Sequence, residues 1–198
     1  MKSVKFCLIG IVATLLSFGL NAQNLFSEVG IGIGNVIGNE HKLGKAELHF
    51  NILKQNNYGQ MGIDLSLGGN FIPGDHSQLS ENTETLSAND AKFTALTFFY
   101  RLPLGKKTFV EPRIGYASLY HSVNTNDEST IKKANFTYGI GLGIHLIERL
   151  TLGLRYQFLG TTPDYQGTRN QIQVVSNSEP VDVVLLRISY RFNWDTIF

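Results

Sequence analysis

After Ala22 the chain alternates between apolar and small or polar positions with period two, the pattern of a strand whose two faces meet different surroundings. The clearest run is Ala134 to Leu146. Ala134, Phe136, Tyr138, Ile140, Leu142, Ile144 and Leu146 share one face, and Asn135, Thr137, Gly139, Gly141, Gly143 and His145 share the other. Ala46 to Ile52 repeats it, with Ala46, Leu48, Phe50 and Ile52 opposite Lys45, Glu47, His49 and Asn51. Met61, Ile63, Leu65 and Leu67 oppose Gln60, Asp64, Ser66 and Gly68; Leu150 to Phe158 and Val184 to Phe192 follow the same rule. Weaker members are Val29 to Ile33, between glycines, Lys92 to Arg101, and Thr108 to Tyr120. These make eight strands. Both faces of Lys92 to Arg101 carry large apolar residues, so alternation leaves its register open.

Most of these runs reach the roughly 9 to 11 residues that a tilted strand needs to cross a bilayer, longer than the usual strand of a soluble sandwich. The segments between them alternate in length. Residues 35–42, 72–91, 121–133 and 160–180 are long and rich in Asn, Asp, Ser, Thr and Gly, while 54–57, 102–107 and 147–149 are short. Outer-membrane barrels sort their connections this way, with short periplasmic turns and longer outer loops. The expectation is an all-β fold, an eight-stranded antiparallel up-and-down transmembrane β-barrel. Its N- and C-termini would lie in the periplasm and its four longer segments outside. Gln171 to Val175, inside the last long segment, reads as a short strand that extends a hairpin above the membrane or offers an edge to a partner.

The N-terminus has a separate logic. A basic start, Met1 to Lys5, precedes an apolar run from Phe6 to Leu20 that is too short for a membrane-spanning helix, and Ala22 offers a small cleavage residue. Residues 1–22 are therefore expected to be a secretory signal peptide, and residues 23–198 the barrel domain. Cleavage would remove Lys2, Lys5 and the only cysteine, Cys7, leaving 15 of the 17 basic residues against 16 acidic ones. A near-neutral chain offers no basic stripe for nucleic acid. Without cysteine it must be held by backbone pairing and packing.

The closing segment Val184-Leu-Leu-Arg-Ile-Ser-Tyr-Arg-Phe192, apolar on alternate residues and ending in aromatics, resembles the terminal strand that outer-membrane barrels present to their assembly machinery. With the leader and the strand count, the mature chain is similar over its whole length to the small outer-membrane β-barrel family of the OmpX-like type. It departs in the tail Asn193 to Phe198, so Phe192 and Phe198 are both candidates for the terminal aromatic. The resemblance implies integral insertion in the bacterial outer membrane, contact with its lipid and lipopolysaccharide, and delivery by the barrel assembly machinery. Aromatics fall into two groups as interfacial belts do: Phe71, Tyr116, Tyr120, Phe136, Tyr138, Tyr156 and Phe158 toward the outer ends, and Tyr58, Phe109, Tyr190, Phe192 and Trp194 toward the inner ends.

The inward faces carry Lys45, Glu47, Asp64, Glu111, Arg113, Arg155, Arg187 and Arg191, and an eight-stranded barrel is only wide enough for its side chains to fill it. A structural polar network is the reading these residues support. Gly30-x-Gly32-x-Gly34 and Gly139-x-Gly141-x-Gly143 lie inside strands rather than opening a helix, so they are small inward residues and not phosphate loops. Lipid A deacylases of similar size set a histidine and a serine two residues apart on one strand face. Here His121 and Ser122 are adjacent and on a strand point to opposite faces. His41, His49, His76, His121 and His145 lack metal-ligand spacing. The expected role is non-enzymatic, in envelope integrity or surface interaction through the outer loops, with no catalytic residues, metal or cofactor and a surface ligand that the sequence does not name. A lipid A deacylase or acyltransferase and a narrow solute or lipid conduit are the alternatives.

Overall fold

Strands form where the alternation predicts them. The computed structural model describes residues 25–37, 44–70, 78–80, 82–123, 125, 129–169 and 171–193, all strand, turn or irregular. β1 (Leu25–Val36), β2 (Gly44–Asn56), β3 (Gly59–Asn70), β6 (Lys92–Pro103), β7 (Thr108–Ser122), β8 (Thr130–Ile147), β9 (Leu150–Thr161) and β12 (Pro180–Asn193) close into one barrel in the order β1-β12-β9-β8-β7-β6-β3-β2. Every neighbouring pair is antiparallel. The first and last strands seal it, in register from Phe26↔Asn193 to Val36↔Val183. The expected leader, residues 1–22, and Phe71, Trp194 and Phe198 lie outside the described residues, as do His41 and His76.

The two faces of the wall differ as the pattern requires. Leu48, Tyr116, Ile140 and Leu142 on the outside are each more than half exposed, while Glu47, Asp64, Thr137 and Arg155 on the inside are buried. An apolar belt running round a whole barrel far exceeds the few hundred Å² that a soluble monomer shows to water. Hydrocarbon is the solvent that suits it, and a closed sheet leaves no backbone group there without a partner. The β6–β7 ladder is interrupted only between Phe99↔Arg113 and Leu102↔Val110, beside Pro112, which has no N–H to give.

β6, whose register alternation left open, turns Phe93, Ala95, Thr97, Phe99 and Arg101 inward. Three of the inward aromatics sit directly across from a glycine: Phe93 from Gly68, Phe99 from Gly62 and Phe109 from Gly143. A methyl group added at any of those glycines would overlap the facing ring. Glycine is thus the residue that makes room for a large ring inside so narrow a barrel. Phe109, expected in an aromatic belt, is instead buried in the interior, because it shares the parity of Glu111 and Arg113.

Two of the longer connections do more than loop through solvent. β4 (Gln78–Ser80) and β5 (Thr83–Leu86) come from one, β10 (Tyr165–Arg169) and β11 (Ile172–Ser176) from the other, and they form a four-stranded sheet in the order β10-β11-β5-β4. The run Gln171 to Val175 supplies β11, which pairs antiparallel with β10 and parallel with β5, from Gln173↔Thr83 to Ser176↔Leu86. Leu86 and Val174 of this sheet pack on Val123 and Ile131 at the ends of β7 and β8, with Tyr165 against them. Between β5 and β6, Ala88 and Ala91 drop into the barrel mouth and join Phe93, Leu119, Leu159, Val183 and Leu185 in the largest apolar cluster.

Leu142 lies on the lipid-facing side and Gly141 on the inward side, where an added Cβ would meet Glu111 Cβ at 3.5 Å, an ordinary contact. Leu142→Arg is therefore expected to cost about 2–4 kcal/mol and Gly141→Ser distinctly less, read from denaturant unfolding in lipid vesicles. Equal tolerance of the two would mean that the strand faces are assigned the wrong way round.

Candidate functional site

The interior is where polar chemistry collects. Glu28 on β1, Glu47 on β2 and Asp64 on β3 stand on three adjacent strands, and Glu111 joins them from β7. The guanidiniums come from the rest of the wall: Arg101 on β6, Arg113 on β7, Arg155 on β9, and Arg187 and Arg191 on β12. The pairs Arg101–Glu28, Arg155–Glu47 and Arg187–Asp64 therefore cross the lumen, whereas Arg191 pairs with Glu28 on the adjacent strand and Glu111 with Arg101 and Arg113 on the neighbouring strand and its own. Arg101 grips Glu28 with two hydrogen bonds of 2.8 and 2.7 Å and donates a third, of 2.6 Å, to Glu111. Arg187 donates to Asp64 at 2.7 Å and lies 3.1 Å from Glu47, which also pairs with Arg155. Arg113 pairs with Glu111 and approaches Asp64 to 3.6 Å, and Arg191 reaches Glu28 at 3.0 Å.

Neutral groups fill the gaps. His49 shares a 2.9 Å hydrogen bond with Ser189 and accepts from Arg187 at 3.3 Å. Below, toward the short turns, rings floor the network: Arg101 lies 4.8 Å from the Phe109 centroid and Arg191 4.1 Å from that of Phe26. Phe26, Leu53 and Phe99 close that end. Beside Arg101, Glu111, Arg155 and Arg187 a cavity of about 20 Å³ remains, about the space of one water. Among the described residues no group of three His, Cys, Asp or Glu side chains is placed to hold a metal ion. His121 is buried inside the wall and Ser122 beside it is exposed on the outside, so the two face apart.

A filled lumen inside a lipid-facing wall of eight strands is the architecture of a small outer-membrane barrel, and the family model for the outer membrane protein beta-barrel domain matches residues 11–192. The chain belongs to the outer-membrane β-barrel family. Solved structures agree on the fold of this outer-membrane barrel. Neisserial surface protein A superposes with a TM-score of 0.59 at 11% identity, covering 86% of this chain and 97% of that one. The N-terminal β-barrel domain of Pseudomonas aeruginosa OprF gives 0.50 at 12% identity, covering 85% and 98%. The attachment invasion locus protein Ail of Yersinia pestis, solved with the heparin analogue sucrose octasulfate, gives 0.50 at 14% identity, with the same coverage. No curated protein matches the sequence.

Of the inward residues singled out by alternation, Glu47, Asp64, Glu111, Arg113, Arg155, Arg187 and Arg191 lie in this outer-membrane barrel's network. Lys45 stands apart at the other mouth. Its ammonium donates to Asn70 Oδ1 and to the Ala91 carbonyl, each at 2.7 Å, and to the Asn89 carbonyl. It ties the inserted loop down rather than pairing with an acid. Two members escape the pattern. Glu28 lies one step of the same period before Gly30, Gly32 and Gly34, so extending the run that starts at Val29 by one residue finds it. Arg101 follows from the register of β6, since Lys92 and Arg101 have opposite parity and only one can face inward.

Removing one partner leaves an uncompensated charge in a confined interior, which typically costs about 3–5 kcal/mol. Glu111→Ala, which takes a carboxylate from both Arg101 and Arg113, should lower the unfolding free energy by that order and shift the midpoint accordingly, whereas Glu148→Ala in an exposed turn should change the free energy by no more than about 0.5 kcal/mol. Matching midpoints for the two variants would show the interior charges to be hydrated and independent.

Proposed function

We propose that this outer-membrane barrel is a non-enzymatic envelope protein that keeps both termini in the periplasm and holds its four-stranded sheet at the cell surface. There it contributes to membrane integrity or to contact with a surface ligand. The observation that carries this reading is the filled lumen. Ion pairs run from wall to wall at one level, and Ala88 and Ala91 occupy the mouth at another. Such an interior opposes conduction and leaves the sheet and the outer wall as the working surfaces.

The orientation rests on the sorting of connections, since short turns belong to the periplasmic side of outer-membrane barrels. Surrounding lipid and lipopolysaccharide are the expected neighbours of the wall. β12, whose penultimate residue is the exposed Phe192, is the strand offered to the assembly machinery. Against lipid A hydrolysis stands the separation of His121 from Ser122, because a serine without a base in reach is a weak nucleophile.

Thr168 is exposed on β10 and Lys106 is exposed in a short turn. With Cys7 expected to leave with the leader, Thr168→Cys should label with a membrane-impermeant thiol reagent on intact cells, and Lys106→Cys only after lysis. Mass profiles of lipid A should be identical in cells with and without the protein. Labelling confined to position 106 would invert the orientation, and a lost acyl chain that depends on the protein would make it an enzyme.

A further inference from the structure

On the outside of the wall, near the long-loop end, the pairing register sets Lys92, Tyr120 and Lys132 side by side on three adjacent strands. Their parity is that of the lipid-facing side chains, and both lysines are exposed. Among the described residues neither ammonium has a carboxylate or hydrogen-bonding partner. From Leu146 to Phe136 the outward face of β8 is apolar throughout. At the usual rise and a tilt of 35–45° those residues cover about 25 Å along the membrane normal, the height of the hydrocarbon band. Lys132 lies four residues further, roughly 10 Å beyond the band, at the level of lipid headgroups. Tyr116 and Phe136, 69% and 51% exposed and edge-to-face with each other, mark the boundary beneath it.

Next to the lysines the wall is hollowed. Ala46 and Gly69, paired across β2 and β3, form the floor of an outward groove of about 400 Å³. Ile31, Leu48 and Leu67 flank it and Tyr120 reaches it. Lys92 borders the same groove, its Cγ 3.3 Å from where a Cβ on Gly69 would stand. An acyl-sized apolar furrow thus opens beside the exposed Lys92, with the exposed Lys132 two strands further on, past Tyr120, at headgroup depth.

We infer that Lys92, Tyr120 and Lys132, with the groove over Ala46 and Gly69, form a binding site for one phosphorylated, multi-acyl glycolipid of the lipid A type. An acyl chain lies in the groove, and a phosphate sits between the ammonium groups. The charge balance favours this lipid over a glycerophospholipid. A phosphomonoester carries about −1.5 to −2 at neutral pH and matches two lysines, whereas a phosphodiester carries about one charge and leaves a lysine unmatched. This assignment rests on the proposed orientation, which brings the site into the outer leaflet.

The test is retention of added lipid by the purified barrel in detergent micelles, read by native mass spectrometry, where orientation plays no part. Lipid A should be retained in one copy. Lipid A stripped of its phosphates, and phosphatidylglycerol, should be retained at least about tenfold less. Lys92→Gln with Lys132→Gln should lose at least about tenfold in retention, since each cation near a lipid surface contributes about 1 kcal/mol. Lys92→Arg should keep it, and Lys106→Gln at the opposite end should leave it unchanged. Ala46→Phe, which fills the groove but spares both charges, should also weaken retention. Equal retention of phosphatidylglycerol, of the dephosphorylated lipid, or by the double variant overturns the site. Inverted cysteine labelling with intact lipid A retention would overturn the orientation alone.

Discussion

Every backbone N–H and C=O in a hydrocarbon layer needs a partner within the protein, and the rest of this structure follows from the way β1 meets β12. Eleven consecutive residues of β1, Phe26 to Val36, lie in register with Asn193 to Val183. Closure with eight strands fixes a lumen only wide enough for side chains. The inward face must then be packed and its charges must satisfy one another, because neither water nor lipid reaches them freely. Glycines at 62, 68 and 143 meet the steric part of that demand by yielding space to Phe99, Phe93 and Phe109.

The electrostatic part is met by dividing the wall by sign. Carboxylates on β1, β2 and β3 face guanidiniums on β6, β9 and β12 across the lumen, so Arg101–Glu28, Arg155–Glu47 and Arg187–Asp64 are struts between distant strands, while Arg191–Glu28 and the pairs of Glu111 join groups on neighbouring strands or on one strand. Buried pairs of this kind are not a large net source of stability compared with apolar packing. They do punish error. A slip of one residue in β9 or β12 would carry Arg155 or Arg187 out into lipid and put leucine in its place. The network therefore reads as a device that fixes register, and the function proposed above falls to the outer surfaces: the four-stranded sheet, and the groove with its lysines.

Legibility in the sequence followed the contrast between the two faces. β2, β3, β8 and β9, and β12 from Arg187 onward, have largely polar or glycine interiors against apolar exteriors, and period two put their charges on the inward face. β6 defeated the same reading because its inward face carries Phe93, Ala95 and Phe99, which belong to apolar layers above and below the charged one. Glu28 lay just outside the recognisable part of β1. The external sheet had only one local signal, Gln171 to Val175. Its parallel pairing of β11 with β5 joins residues some ninety positions apart, and strands as short as Gln78–Ser80 carry too few alternations to register. The insertion of Ala88 and Ala91 into the mouth, held by Lys45, depends on tertiary contacts alone.

Ionic current through the purified protein in a planar lipid bilayer addresses the filled lumen most directly. The ion pairs and the inserted loop predict no steady conductance for the native chain. They predict further that Arg101→Ala, which takes two hydrogen bonds from Glu28 and one from Glu111, loses stability rather than opening a regular pore. Reproducible native channels, with a cation–anion preference that shifts on replacing Arg101 while the unfolding midpoint stays unchanged, would contradict it.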